Sequence, residues 1–508
     1  MTVINSLPAA LSDNVLGGMV TADLDDKVEA LPNESGPVSA FVNLTKWQAT
    51  KIFWRATLLC FFGGLCVLME GYQGQITGSI VSNTGFIAQF GTTVASTGQK
   101  ALNAEYVSAW GGTSGAFQMM GQQISTLIAD RYGRTTSFYI ATVLIIAGVF
   151  MEQFVTTIAG WLGAKIVAGF AAGMGQATSL LSNGASYGLF LAIGQLISAI
   201  ALQIVNVTDA NNWRRAIYSE WVIIGLWLMC LPWVYETPWY YARKGLHENA
   251  KAALGKIFRG VKGYEFEHEY RVMQLQLEHE DSTRRSQKDS TFQEIFQGTN
   301  LRRTLASFFG VVLLQWSGAS VVFSGLLVFM VLVSFYLTER FGRRSLLLTG
   351  GTGCFVCNII LGTLGVVKRT DAVLHATLAV ICIWVLFYAG CLAGVGWGLT
   401  SEIATPRLRA RTAGVVINGS QSFSLMFGYT VPLMLASTGS GARNWGVKTL
   451  YLFACTGGIG LVINYFILPE VRGRSFAELD EMFEARISPR RMKSHVTEVE
   501  RSGAKDRE

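Results

Sequence analysis

Glu70 is the first residue in this sequence placed to do chemistry, because it stands alone as a charge inside an apolar run from Ala56 to Val81. A carboxylate at membrane depth is costly and by default marks a proton or substrate site. The plainer reading is a glutamate close enough to a helix end to reach water. A second set of candidates lies in two short charged stretches, Ala129-Asp-Arg-Tyr-Gly-Arg134 and Thr338-Glu-Arg-Phe-Gly-Arg-Arg344. Each sits between apolar runs and repeats an acid, an arginine, an aromatic, a glycine and an arginine in that order. Asp130, Arg131, Arg134, Glu339, Arg340 and Arg343 are therefore paired by position, and Glu402 and Arg409 form a third charged loop. Such groups make ion pairs at a membrane face, and the arginines hold that face on the inner side. Two copies at matching places imply a duplicated membrane bundle.

The elements that must position these residues are apolar helices. Of 508 residues half are hydrophobic and only 15% are charged, against about a quarter in soluble domains. The uncharged runs are each long enough to cross a bilayer, for which roughly 20 residues suffice. The net charge of +7 then reflects basic loops facing an anionic lipid leaflet rather than nucleic acid. The eight cysteines fall nearly all within apolar runs, so they are no disulfide framework, and Cys354-x-x-Cys357 has no second pair at metal spacing. No nucleophile, metal cluster or paired acids support an enzyme, and no cofactor is implied.

In chain order, residues 1–45 read as a disordered tail and 46–236 as an amino-terminal bundle. Residues 237–303 read as a polar helical linker, 304–469 as a second bundle and 470–508 as a tail, with both termini cytoplasmic. No cleaved leader is read at the amino terminus, so the first apolar run serves as the insertion signal. Spans are expected near 56–81, 105–128, 135–157, 216–236, 346–367, 374–398, 412–435 and 448–468. Two more share 158–205 with a turn at Asn183-Gly184, and Asn206-Val-Thr208 is read as an external glycosylation triplet. The uncharged stretch Thr304–Thr338 is the difficult one. It offers about 35 positions where two crossings need roughly 40 and a turn, yet basic flanks demand an even number. A cramped hairpin near Ser324-Gly325 is the expected solution.

Several stretches resemble the sugar porter family of the major facilitator superfamily. The two charged repeats resemble its inner-loop motifs, Glu236-Thr-Pro-Trp its element after span six, and Pro469-Glu-Val-Arg-Gly-Arg its element after span twelve. More narrowly, MEGYQG (69–74), GYEFEHEY (263–270), GTNLRRTL (298–305), SEIATPRLRART (401–412), ARNWGVK (442–448) and SFAELDEMFEAR (475–486) resemble fungal maltose and α-glucoside permeases. The resemblance implies an all-α fold of two pseudo-symmetric six-helix bundles, with spans 4/5 and 7/8 shortened. It also implies a monomeric plasma-membrane transporter that takes up an α-glucoside such as maltose with a proton.

It further implies residue roles. Glu70 matches the first acid of an i, i+3 pair whose second position is Gln73 here, and Lys165 stands where many members carry arginine. Lys165 either balances Glu70 or extends to the membrane interface. Gln195, Gln315, Trp397 and Asn418 match sugar-binding positions, with interhelical hydrogen bonds or interfacial anchoring as the plainer alternatives. The eight loop charges would form pairs that favour the outward-facing state. Gly169-x-x-x-Gly173 lets two helices approach closely. Departures matter too: the acid–proline–arginine motif between spans four and five is missing, and Ile417 replaces an arginine. They keep open a hexose facilitator, or a non-transporting sensor or inactive relative.

Overall fold

A computed structural model of the chain describes residues 46–94, 98–183, 187–261, 263–286, 292–318, 324–368, 370–404, 409–436, 442–472, 474, 476–492, 494–495 and 497. The chain divides into two compact units. The smaller comprises the described residues of Met1–Leu58, Thr237–Ser290 and Gly473–Ser475. The larger, Leu59–Glu236, Thr291–Arg472 and Phe476–Glu508, holds both helical halves. The tail at 1–45 lies outside the described residues.

The first half of the larger unit is built from α1 (Trp54–Ser79), the short α2 (Thr84–Phe90), α3 (Ala104–Tyr132), α4 (Arg134–Phe154), α5 (Ile158–Asn183), α6 (Tyr187–Thr208) and α7 (Glu220–Cys230). Asn83 and Asn103 cap α2 and α3, their side chains accepting from Phe86 N and Glu105 N. A two-stranded ribbon, β1 (Thr93–Val94) with β2 (Lys100–Ala101), follows α2. In the smaller unit, α8 (His247–Ile257) and α9 (Phe266–Ser286) pack through Ala250, Leu254, Tyr270 and Met273. Phe258 stacks on Tyr264 there, and Phe53 meets both rings edge-on.

The second half contains α10 (Gly298–Trp316), α11 (Ser324–Phe341), α12 (Arg343–Leu364), α13 (Asp371–Phe387), α14 (Gly394–Ile403), α15 (Arg409–Leu435), α16 (Leu450–Ile467) and, after them, α17 (Phe476–Glu484). A π-helical turn, Tyr388–Ala393, joins α13 to α14. Among the described residues eight helical segments are long and apolar enough to cross a membrane by themselves. The more polar α3 and α15 and the shorter α10 and α11 complete the two halves.

The cramped seventh and eighth spans gain length from their flanks. Helix α10 starts at Gly298 rather than at residue 304, and α11 runs through Thr338 to Phe341. This draws Arg303 into the fold, where it is buried. Asp480 pairs with it at 2.5 Å and Phe483 lies 4.5 Å from its guanidinium. Ser324-Gly325, expected at the turn, instead opens α11, and residues 319–323 lie outside the described residues. Of the pair expected at the next turn, Asn183 is the last residue of helix α5, and residues 184–186 lie outside the described residues. The triplet at Asn206 is no loop: it lies in the last turn of α6, and the Asn206 side chain accepts from Asn83 at 2.6 Å.

The two charged repeats, expected as loops, are helical to within one residue. Gly133 (φ 95°) alone separates α3 from α4, and Gly342 (φ 86°) alone separates α11 from α12. Only glycine takes such a conformation without strain. Each following helix then has free N–H groups, and a carboxylate meets them. Glu236 accepts from Thr135 N at 2.9 Å, and Glu470 accepts from Arg343 N at 3.0 Å. The repeat thus preserves a reversal geometry as well as a charge pattern.

Glycines also bring α5 against α3. A methyl group on Gly169 would lie 2.5 Å from the Ser114 carbonyl oxygen, and one on Gly173 would strike the backbone at Gln118. Gly121 of α3 meets the Phe170 backbone in return. The expected close approach at Gly169 and Gly173 is therefore made with α3.

Candidate functional site

Two buried polar clusters lie in the first half, linked through α1. The first centres on Lys165, whose side chain is only 1% exposed. Its ammonium lies 2.8 Å from Glu152 Oε1 and 2.9 Å from Thr77 Oγ1, and it stands 4.5 Å above the Trp161 ring. Glu152 Oε1 also accepts from Gln73 Nε2 at 2.5 Å. Lys165 is thus paired with Glu152 of α4. It neither balances Glu70 nor reaches out to an interface.

Glu220, at the start of α7, lies within electrostatic reach of both Glu152 and Lys165. It is fully buried, and neither of its oxygens has a hydrogen-bond partner among the described residues. Glu152 Oε2 and Gln73 Oε1 are likewise buried without a donor. Unpaired buried acceptors of this kind are costly, so the cluster is short of protons. Trp161 joins it to a group of five aromatic rings: Phe86 and Phe90 of α2 pack among Trp110, Trp161 and Trp213 with centroids 4.6–6.4 Å apart.

One helical turn along α1 from Gln73 stands Glu70. Tyr187 of α6 donates to its carboxylate, 2.9 and 3.0 Å from the two oxygens, and Gln118 Nε2 lies 3.4 Å away. A cavity of about 20 Å³ adjoins it, lined also by Cys66, Thr142 and Ala171, enough for one water. From Gln118 the polar groups continue as amides. Gln176 Oε1 accepts from Gln118 at 3.1 Å, from Gln122, and from Gln421 of the second half at 3.4 Å. Gln123 donates to Asn418 Oδ1 at 2.5 Å. The layer where the halves meet is therefore rich in neutral donors and acceptors.

Of the residues expected to bind solute, Asn418 joins this layer. Gln195 and Gln315 are half-buried and make no side-chain hydrogen bond to described residues, which leaves their amides available. The Trp397 side chain lies outside the described residues. Sequence reasoning missed Gln118, Gln122, Gln176 and Gln421, which carried no signal beyond being amides in apolar helices.

At the basic end, Arg343 grips Glu402 with two hydrogen bonds of 2.9 Å. That bidentate pair lies within the second half. Arg340 donates to Tyr336 OH at 2.7 Å. Asp130 and Arg131 are exposed and Arg134 half-buried, while the Glu339 and Arg409 side chains lie outside the described residues. Glu236 and Glu470 belong to this end as well. They were present in the two stretches after spans six and twelve without being singled out.

The model of the sugar (and other) transporter family matches residues 59–324 and 317–483, most of the chain. The chain belongs to that family. It is a multi-pass membrane transporter, not an enzyme. Among its relatives, the MFS transporter fmqE of Aspergillus fumigatus is 26% identical, across 92% of this chain and 98% of that one. H(+)/hexose cotransporter 1 of Parachlorella kessleri is 25% identical, across 82% and 85%. The solved structure of the proton:xylose symporter XylE bound to 6-bromo-6-deoxy-D-glucose superposes with a TM-score of 0.64 over 85% of this transporter and 99% of that chain, at 18% identity. That likeness confirms the all-helical two-half fold.

The amide layer gives the transporter a direct test. Gln176 is the shared acceptor for amides of both halves, so Gln176→Ala is expected to raise the half-saturating solute concentration about tenfold. Concentration-dependent uptake, normalised to surface protein, checks it.

Proposed function

We propose that this transporter takes up a neutral, hydroxyl-rich solute, a sugar, by alternating access, driven by a proton held at Lys165, Glu152 and Glu220. The observation that carries the reading is the charge of that cluster: two buried carboxylates face one cation. It is neutral only when one carboxylate holds a proton, and an uncompensated charge at this depth is expensive. Glu70, hydrogen-bonded to Tyr187 and one turn from Gln73, serves as the link from the proton site to the amide layer. That layer, together with Gln195, Gln315, Trp397 and Asn418, offers hydrogen bonds without net charge, which suits hydroxyl groups rather than ions. The names of the hexose cotransporter and the xylose symporter support the same class.

An α-glucoside such as maltose is the substrate to try first, on the strength of the stretches that resemble maltose permeases. The protein works as a monomer in the plasma membrane with its arginine-rich end and both termini in the cytoplasm. A second reading, a facilitator for a hexose, is favoured by Gln73 and Ile417 standing where the family places charges.

Labelled maltose and glucose uptake into transporter-deficient yeast, with and without a protonophore, tests both readings. Protonophore-sensitive accumulation of either sugar supports the symporter. Equilibrating, insensitive uptake supports the facilitator, and no uptake by protein verified at the surface overturns both.

A further inference from the structure

We propose that the outer face of α12 and α16 holds one anionic phospholipid of the inner leaflet, its acyl chain in a groove and its headgroup at Arg490. The groove is about 340 Å³, within the range of ligand pockets. It is lined by Phe355 of α12 and by Ala454, Cys455, Gly458, Ile459 and Val462 of α16, and is almost wholly apolar. Gly458 creates it: a methyl there would lie 2.9 Å from the Phe355 ring. Cys455, Ile459 and Val462 are exposed beside it, as suits a helix face turned to lipid tails.

What singles this face out is its lower end. About one turn beyond the groove, Tyr465 and Phe466 are 47% and 57% exposed. The guanidinium of Arg490 lies 4.4 Å from both ring centroids. The rings hold it beyond the end of the groove, where Arg490 is exposed, at the depth where aromatic residues meet headgroups. Arg344 also lies near Tyr465, 5.7 Å from its ring, and donates to the carbonyls of Tyr465 and Leu468. The carboxylate of this corner, Glu470, accepts from the backbone N–H groups of Arg343, Val471 and Arg472 and offsets the charge of Arg344, which leaves the exposed Arg490 as the cation beside the rings. From Cys455 to Phe466 the helix rises about 17 Å, the reach of one leaflet's chain region. A basic, aromatic-flanked corner beneath an apolar groove on the arginine-rich side is the arrangement that holds a phosphodiester with its chain.

Native mass spectrometry of the purified full chain, titrated with phosphatidylserine or phosphatidylcholine, tests the assignment. Wild type is expected to retain one phosphatidylserine in preference to phosphatidylcholine. Arg490→Glu is expected to weaken that binding about tenfold or more, and Arg490→Gln to give an intermediate loss. Cys455→Trp, which fills the groove from its exposed side, is expected to weaken both lipids. Melting of each variant in detergent without added lipid separates lost binding from lost folding. Unchanged phosphatidylserine preference in a folded Arg490→Glu protein overturns the proposal, and so does displacement of the lipid by inorganic phosphate alone.

Discussion

With Glu152 replaced by glutamine, uptake is expected to equilibrate the sugar across the membrane and no longer concentrate it. The substitution leaves Lys165 facing Glu220 alone, a cluster that is neutral without a proton, so the solute moves while the driving ion does not. The amide preserves volume and can still accept from Gln73 and Lys165, which keeps the fold. Accumulation should fall from its coupled level to unity and lose its response to the protonophore, while exchange of labelled for unlabelled sugar continues. Lys165→Met separates charge balance from simple damage. It strands two carboxylates, a loss on the order of 3–5 kcal/mol, and should remove the protein from the surface. Full accumulation by the Glu152→Gln protein would take this cluster out of the coupling step.

Gly173→Leu is expected to be the most damaging change to the fold. The glycine lies against the backbone of α3 at Gln118, so even a methyl group has no room. Neighbouring glycines at 121 and 169 hold the same helix pair over about two turns of α3, and the atoms they meet are mostly backbone, which cannot swing aside. Parting the helices forfeits their packing and also breaks the hydrogen bond from Gln118 to Gln176. Overpacking alone costs about 1–3 kcal/mol, and the displaced amide layer adds to it. Surface expression and detergent melting temperature should both drop, whereas Gly188→Ala, at a position with open space, should be silent.

What the sequence made legible followed from rules that act locally. The twin charged repeats pointed to the duplication, and glycine spacing pointed to a close approach by α5, though not to α3 as its partner. Lys165 was recognised as a charge of interest but given the wrong neighbour. Glu152 and Glu220 sit near the ends of their apolar runs, where a carboxylate ordinarily reaches water. They are buried among groups from other helices: Gln73 of α1 and Lys165 of α5 meet Glu152, and Glu220 lies within electrostatic reach of Glu152 and Lys165. Burial imposed by a distant segment leaves no periodicity to read. The seventh and eighth spans were expected as two helices and are two, but their bounds were misplaced for a related reason. Arg303 looked like a loop residue, yet Asp480 of α17 supplies the charge that lets it enter the helix.

The seam between the halves carries one last consequence. At the end away from the arginine-rich loops, Gly111 and Gly112 of α3 face Gly428 and Tyr429 of α15, and a methyl on Gly111 would lie 3.2 Å from the Gly428 carbonyl oxygen. The backbones meet directly at Gly111, and Tyr429 and Leu425 rest on Gly112 and Gly115, which have no side chain to interlock with them, so the seam is a bearing surface rather than a latch. Little has to be unthreaded when one half tilts against the other. The hydrogen bonds across the seam lie farther in, at Gln176 with Gln421 and Gln123 with Asn418, so on the proposed reading the resistance to tilting falls where the solute binds.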